Sequence, residues 1–222
     1  MYPLKRLTIL CGHYGSGKTN VAVNIATELK KTRDTVTVAD LDIVNPYFRT
    51  KDSAAYFEQQ GIRLICSAYA NSNVDIPALP QEMYALTDDR SMTAVLDIGG
   101  DDRGALVLGR LAPKILAEGD YEMLMVINRY RPLTRDAAST LEVMAEIELA
   151  GGIRFTGLIN NSNLGELTTA EDILASREYA EEISRLSGLP LVMTSVRADL
   201  APAVEGKMPL VFPLTLQKNK FL

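Results

Sequence analysis

Short apolar runs rich in Val, Ile and Leu punctuate this chain at residues 7–11, 35–39, 62–66, 93–98, 123–127, 155–159 and 191–194. Their hydrophobicity is continuous rather than alternating, which suits strands buried on both faces of a parallel sheet. Between them lie longer segments of helical periodicity at residues 19–31, 51–60, 79–87, 105–118, 134–150 and 170–187. The last sets Ile173, Leu174, Tyr179, Ile183 and Leu186 along one side, with charges elsewhere. Strand and helix alternating almost end to end predict an α/β fold: a doubly wound, mostly parallel sheet with helices on both faces, in three layers. No internal repeat, low-complexity tract or linker breaks the pattern. The polar stretches Asn71-Ser72-Asn73 and Asn160-Asn161-Ser162-Asn163 read as loops within one domain covering residues 1–222.

Composition narrows the function classes. At 47% hydrophobic and 23% charged residues the chain has the make-up of a soluble globular domain. A net charge of −5 argues against a general nucleic-acid surface, which needs clustered Lys and Arg. Cys11 and Cys66 are the only cysteines and each sits in an apolar run, so they form neither a disulfide framework nor a C-x-x-C metal site. Both are expected to be buried and reduced, as in a cytoplasmic protein. His13 is the only histidine, which excludes multi-histidine zinc chemistry. No cleavable signal is expected at the N-terminus, and no run approaches the roughly 18 apolar residues of a membrane span.

Ligands of a doubly wound sheet gather at the carboxyl ends of its strands, so the residues following each run carry the chemistry. After the first run comes Gly12-His13-Tyr14-Gly15-Ser16-Gly17-Lys18-Thr19, a full match to the phosphate-binding pattern G-x-x-x-x-G-K-[ST]. A glycine-rich turn can wrap its backbone N–H groups around phosphates, with a helix N-terminus facing them. Lys18 adds a positive charge, and the Thr19 hydroxyl suits Mg²⁺ bridged to the nucleotide. After the second run, Asp40 and Asp42 lead into a Pro-containing loop, two carboxylates able to orient metal-bound and attacking waters. After the fourth, Asp97 is placed as a second Mg²⁺ carboxylate, followed by Gly99-Gly100, a backbone able to approach a γ-phosphate and change conformation. After the sixth, Asn160-Asn161 offers amide groups suited to an adenine edge, and no N-K-x-D sequence selects guanine.

Taken together, these strand ends resemble the MinD/ParA-like P-loop ATPases of the CobQ/CobB/MinD/ParA nucleotide-binding superfamily. The best stretches are Gly17-Lys18-Thr19-Asn20-Val21-Ala22-Val23-Asn24-Ile25-Ala26 and Val36-Thr37-Val38-Ala39-Asp40-Leu41-Asp42. They are similar to the family's G-K-T-x-x-x-x-N-L-A and V-D-x-D segments. The resemblance implies that Asp42 is the switch I aspartate that positions the hydrolytic water, with Asp40 ahead of it near the metal. It further implies that Asp97 is the Walker B aspartate, that Gly99-Gly100 begins switch II, and that Asn161 contacts adenine. The segment Pro190 to Arg197 is similar to the family's base-flanking loop, with Arg197 contributing a backbone contact where Pro is usual. Many members place a lysine and a glycine where this chain has His13 and Tyr14, and that lysine reaches the partner's phosphates across a dimer. This chain is therefore a variant without the signature lysine. Arg49, Arg103, Arg129 and Arg131 are candidates to replace its charge, with Asn128-Arg129-Tyr130-Arg131-Pro132 notable because it also follows a strand.

The expected function is a Mg²⁺-dependent ATPase acting as a nucleotide-controlled switch on an unidentified protein partner. Lys18 and Asp42 would be catalytic, and a nucleotide-dependent homodimer is a further form that the resemblance implies. Membrane and nucleic-acid partners are not expected. Two alternatives stay open. One is an ATP-dependent small-molecule kinase or ligase, with Tyr47, Arg49 or residues 71–75 lining an acceptor pocket. The other is a module that holds ATP without hydrolysing it, suggested by His13 and Tyr14.

Overall fold

The computed structural model describes residues 2–41, 53–66, 81–100 and 102–216, apart from the side chains of residues 81, 102 and 103. Asp42, Tyr47, Arg49, the 71–75 loop and the Arg103 side chain thus lie outside the described residues. Eight strands form a single sheet: β1 (Leu7–Cys11), β2 (Val36–Leu41), β3 (Arg63–Cys66), β4 (Thr93–Ile98), β5 (Tyr121–Ile127), β6 (Gly157–Asn160), β7 (Leu191–Arg197) and β8 (Val211–Leu214). Their order is β3-β2-β4-β1-β5-β6-β7-β8, and every pairing is parallel. The helices are α1 (Lys18–Lys30), α2 (Ala54–Gln60), α3 (Gln81–Asp88), α4 (Asp102–Glu118), α5 (Ala137–Gly151), α6 (Ala170–Ala175), α7 (Arg177–Ser187) and α8 (Ala201–Val204).

Strand pleating sorts the apolar residues into two cores. Leu7, Ile9 and Cys11 of β1 face one side with Leu96, Met123 and Met125, where Met83 of α3, Leu108 and Ile115 of α4, Ile147 of α5 and Ile183 of α7 cover them. Leu10 faces the other side with Val38, Val95, Leu124 and Val126, under Val21 and Ile25 of α1 and Phe57 of α2. Continuous apolar runs in the sequence are the consequence, because both faces of the central strands are buried.

The order of strands also fixes where a ligand can bind. From β1 the chain passes over one face to β2, whereas from β5 it passes over the opposite face to β6. β1 and β5 are hydrogen-bonded neighbours from Leu7↔Tyr121 to Cys11↔Met125. Their outgoing connections therefore diverge and open a crevice beyond their carboxyl ends, the switch point where doubly wound sheets place ligands.

Local chemistry accounts for the differences from the sequence expectations. The segment expected as one helix over 170–187 divides at Ser176, which is fully buried, donates to the Ile173 carbonyl at 2.7 Å and accepts from Asn160 Nδ2 at 2.8 Å. Helix α5 starts after Asp136, whose carboxylate caps Ser139 N–H at 2.9 Å, so residues 132–134 form a separate 3₁₀ turn. Strand β8 escapes notice because Pro213 lies inside it; β8 is an edge strand, where a missing N–H is tolerated.

One buried charge sits far from the crevice, at the opposite end of β5. Glu122 is 3% exposed; its Oε1 accepts Lys5 N–H at 2.9 Å and Thr8 O–H at 3.0 Å. Burial first, and then the Asp120 charge, push its carboxyl above the usual glutamate range, more than these bonds and the Lys5 charge lower it. A carboxyl raised in the fold contributes stability fully below its unfolded value and loses it as pH rises through the folded value. Glu122→Gln keeps the Oε1 bonds and removes the titration. In urea unfolding the variant should therefore gain relative to wild type between pH 5 and pH 8; a constant difference across that range would contradict this account.

Candidate functional site

The phosphate-loop motif lies at the crevice, between β1 and α1. Gly12, Gly15 and Gly17 have φ of 147°, 76° and 88°, in the region that side-chain-bearing residues rarely adopt. Space adds a second demand: a Cβ on Gly12 would stand 2.4 Å from Val126 O, and one on Gly17 would stand 2.3 Å from Asn161 Nδ2. The glycines of the motif are thus required by the packing of this loop against β5 and the end of β6. Lys18 is buried and donates from Nζ to the carbonyls of Gly12 at 2.9 Å and His13 at 3.3 Å. His13 donates from Nδ1 to the Tyr14 carbonyl at 3.0 Å, and Tyr14 is 53% exposed at the mouth of the site.

The end of β4 meets the loop and the start of α1. Thr19 at the start of α1 donates its hydroxyl to Asp97 Oδ2 at 2.7 Å, joining the helix to the end of β4. Asp40 on β2 pairs in register with Asp97, so both buried carboxylates lie on the α1 side of the sheet. Beyond β4, Gly100 presses against the loop: a Cβ there would be 2.6 Å from Tyr14 N and 3.0 Å from Gly12 O. Gly99 in turn packs on Gly104 of α4, where a Cβ would meet its backbone at 2.7 Å.

Beyond the loop opens a cavity of about 460 Å³, bounded by Gly15, Gly17, Lys18 and Thr19, then Asn161, Asn163 and Thr168, and on the far side Ser195, Arg197, Leu214 and Leu216. Asn161 is buried and spans it from below, donating from Nδ2 to Ser16 O at 2.6 Å and accepting from Ser195 Oγ at 2.7 Å. The amide expected to read adenine therefore first ties the loop to β7, with one N–H and one acceptor position left over. Arg197 lines the cavity, but its guanidinium is spent on Asp199, at 2.6 and 2.9 Å, and on the Glu166 carbonyl at 2.8 Å. Asn24 clamps the strand-β8 end of the wall, accepting from Thr215 N–H at 2.8 Å and donating to its carbonyl at 3.0 Å. Neither this role of Asn24 nor the cavity positions of Leu214 and Leu216 were visible in the sequence, since each depends on β8, whose signal Pro213 hides.

Of the four candidate arginines, the structure brings Arg131 to the loop: its Nε donates to Gly15 O at 2.7 Å. Arg129 instead bonds the Ala175 carbonyl and lies over the Tyr130 ring, 5.8 Å from its centre. Cys11 is fully buried; burial drives its thiol upward, so it is no nucleophile.

The residues present fit a nucleotide and its Mg²⁺. Ser16 Oγ is fully buried in the loop with no hydrogen-bond partner among the described residues, a polar atom that a phosphate oxygen would satisfy. The Thr19 hydroxyl and the Asp97 carboxylate form the hard oxygen donor pair that Mg²⁺ prefers. No group of three or more His, Cys, Asp or Glu side chains suited to a metal occurs among the described residues. Among them, too, no helix is long and apolar enough to cross a membrane.

No protein-family profile matches the chain, and no curated protein matches it in sequence. Solved structures do match. The cell division protein FtsY from Thermotoga maritima has a TM-score of 0.58 at 18% identity, over 87% of this chain and 62% of that one. The signal recognition particle receptor FtsY from Elizabethkingia anophelis in complex with GDP has a TM-score of 0.51 at 14% identity, over 88% and 58%. FlhF complexed with GTP and Mg²⁺ has a TM-score of 0.52 at 12% identity, over 87% and 66%. The chain thus spans about three fifths of the length of these structures. They show the fold alone, an α/β fold shared with these FtsY and FlhF structures, and they do not single out the MinD/ParA group.

The Asn161 bridge can be weighed directly. Asn161→Ala leaves Ser16 O without its buried donor and Ser195 Oγ with the Asn160 carbonyl alone, at 3.3 Å, and should cost about 1–3 kcal/mol of stability. Denaturant unfolding measures it; a loss below about 0.5 kcal/mol would mean that the bridge does not hold the loop.

Proposed function

We propose that this chain is a Mg²⁺-dependent ATP-binding protein that hydrolyses ATP slowly and acts as a nucleotide-controlled switch on a partner protein, as its resemblance to the MinD/ParA-like ATPases implies. The observation that carries this reading is the 2.7 Å bond from Thr19 to Asp97, with Gly99-Gly100 immediately following and Gly100 seated on the loop backbone. A terminal phosphate entering the loop would bear on that glycine segment, and its loss on hydrolysis would release it. Lys18 would leave the Gly12 and His13 carbonyls for the phosphates and offset charge on the transferred group. Thr19 and Asp97, with Asp40 beside them, would hold Mg²⁺, which when bound offsets the charge of the β- and γ-phosphates. Asp42, outside the described residues, would orient the attacking water.

The base is proposed as adenine because the segment at the end of β6, Asn160-Asn161-Ser162-Asn163, lacks the carboxylate that pairs with the guanine N1 and N2 hydrogens. A guanine reading has its own support: Glu166 is a carboxylate lining the cavity, and FlhF carries GTP. Competition binding separates the two. ATP should displace a fluorescent adenine nucleotide at least tenfold better than GTP, and Glu166→Gln should leave ATP binding unchanged. GTP preference lost in Glu166→Gln would establish the guanine reading instead.

For turnover, Lys18→Ala should abolish nucleotide binding, whereas Asp42→Ala should bind as wild type and lose phosphate release. Equal turnover in wild type and Asp42→Ala would remove Asp42 from the mechanism. Phosphate that leaves on an added metabolite rather than in water would favour the kinase or ligase alternative. Tight binding without any phosphate release would favour the non-hydrolysing module.

A further inference from the structure

The signature lysine of the resembling family is replaced by His13, whose imidazole donates to the Tyr14 carbonyl beside it. Arg131 reaches the same loop from the β5–α5 connection. Its Nε donates to Gly15 O, and its side chain lies along the loop, 3.3 Å (Nε) and 3.8 Å (Cζ) from where a Gly15 Cβ would be. Neither Nη group has a partner among the described residues, and Arg131 lines the cavity together with Lys18 and Thr19. Among the described residues lining that cavity, Arg197 is already neutralised by Asp199.

The backbone that presents Arg131 is held firmly. Asn128 is fully buried; its Oδ1 accepts from Tyr130 N–H at 3.0 Å and Asn163 N–H at 3.3 Å. Its carbonyl accepts Arg131 N–H at 3.2 Å and the Thr134 hydroxyl at 2.8 Å, and the Arg131 carbonyl accepts Thr134 N–H at 3.1 Å. Tyr130 ties the turn to α6 through Asp172 O at 2.7 Å. A side chain needed only as a clamp on Gly15 O would use one neutral donor. Here an arginine fork is pre-positioned with its charged end uncommitted, at the lip of the crevice between β1 and β5.

We propose that Arg131, set against Gly15 of the phosphate loop by the Asn128-braced turn, is a phosphate-binding residue that supplies from within the same chain the positive charge the missing lysine would bring from a second copy. Its Nη groups contact the bound polyphosphate while Nε keeps the Gly15 carbonyl. The site is then complete in one chain. This rests on the reading of the loop as a nucleoside-triphosphate site.

The test compares wild type, Arg131→Gln, Arg131→Lys and Lys18→Ala by titration with fluorescent adenine and guanine nucleotides bearing three, two or one phosphates, plus Mg²⁺. Arg131→Gln retains a donor for Gly15 O but no charge. It should unfold at the wild-type Tm and bind the triphosphate roughly ten- to a hundredfold more weakly, with a much smaller loss for the monophosphate. Arg131→Lys should recover part of the affinity, and wild-type turnover per chain should stay constant over about a hundredfold range of protein concentration. Wild-type triphosphate affinity in Arg131→Gln would overturn the proposal, as would equal losses for all phosphate lengths with a lowered Tm, the mark of a clamp alone. Turnover per chain that rises with concentration would overturn the claim of a complete single-chain site. If wild type binds no nucleotide, the loop reading and this proposal fall together; if only Lys18→Ala loses binding, this proposal alone falls.

Discussion

The hydrogen bond from Thr19 to Asp97 joins two elements that the chain reaches 78 residues apart, the first turn of α1 and the end of β4. It is possible only because β4 is the hydrogen-bonded neighbour of β1, with Leu10 opposite Asp97. That adjacency places the motif loop in the middle of an eight-stranded sheet rather than at its rim. Both carboxylates of the site, Asp40 and Asp97, are buried on neighbouring strands in the same register. Two acidic side chains side by side out of water repel each other, and a fold holds such a pair where a hydroxyl, a cation or a proton offsets the repulsion. Thr19 does so here in part.

Around this bond the loop is shaped by exclusion as much as by attraction. Gly12 packs on Val126 of β5, Gly17 on the Asn161 amide, and Gly100 on the backbone of Tyr14. Each contact leaves no room for a methyl group, so β5, the end of β6 and the segment after β4 all touch the loop through backbone or amide atoms. A change in any of the three is felt at the loop without an intervening flexible side chain. The Gly100 contact reaches furthest, since the segment it belongs to leads to α4, where Gly99 packs closely on Gly104.

The order of legibility in the sequence follows from the range of the interactions. The central strands announced themselves because burial on both faces makes each one an unbroken apolar run. The loop was legible because its glycines, Lys18 and Thr19 are adjacent in sequence, so the spacing itself carries the chemistry. Asp97 was legible from its position at the end of an apolar run. What sequence could not reveal was how distant polar side chains share a partner. Asn161, expected at the base, also holds Ser16 and Ser195 across 145 and 34 residues, a tie that no sequence spacing reveals. Asn24 sat inside the best-matching stretch without a role until Thr215 met it. The break at Ser176 and the edge strand through Pro213 were hidden because tertiary partners, Asn160 and β7, override the local preference.

The arginines make the same point about charge. Sequence offered four candidate cations, and for Arg129 and Arg131, the two whose side chains are described, topology distinguishes them. The β5–α5 connection leaves the sheet on the face opposite α1, so the residue at its turn meets the loop from across the crevice. Arg129, two residues earlier, points instead to the carbonyl of Ala175 and stacks on Tyr130. A turn braced by the fully buried Asn128 converts that two-residue difference into a difference of role. With His13 and Tyr14 at the loop's first free positions, Arg131 brings a positive charge to Gly15 from a neighbouring strand end. The sheet, through the turn braced by Asn128, sets the distance of that charge from Gly15.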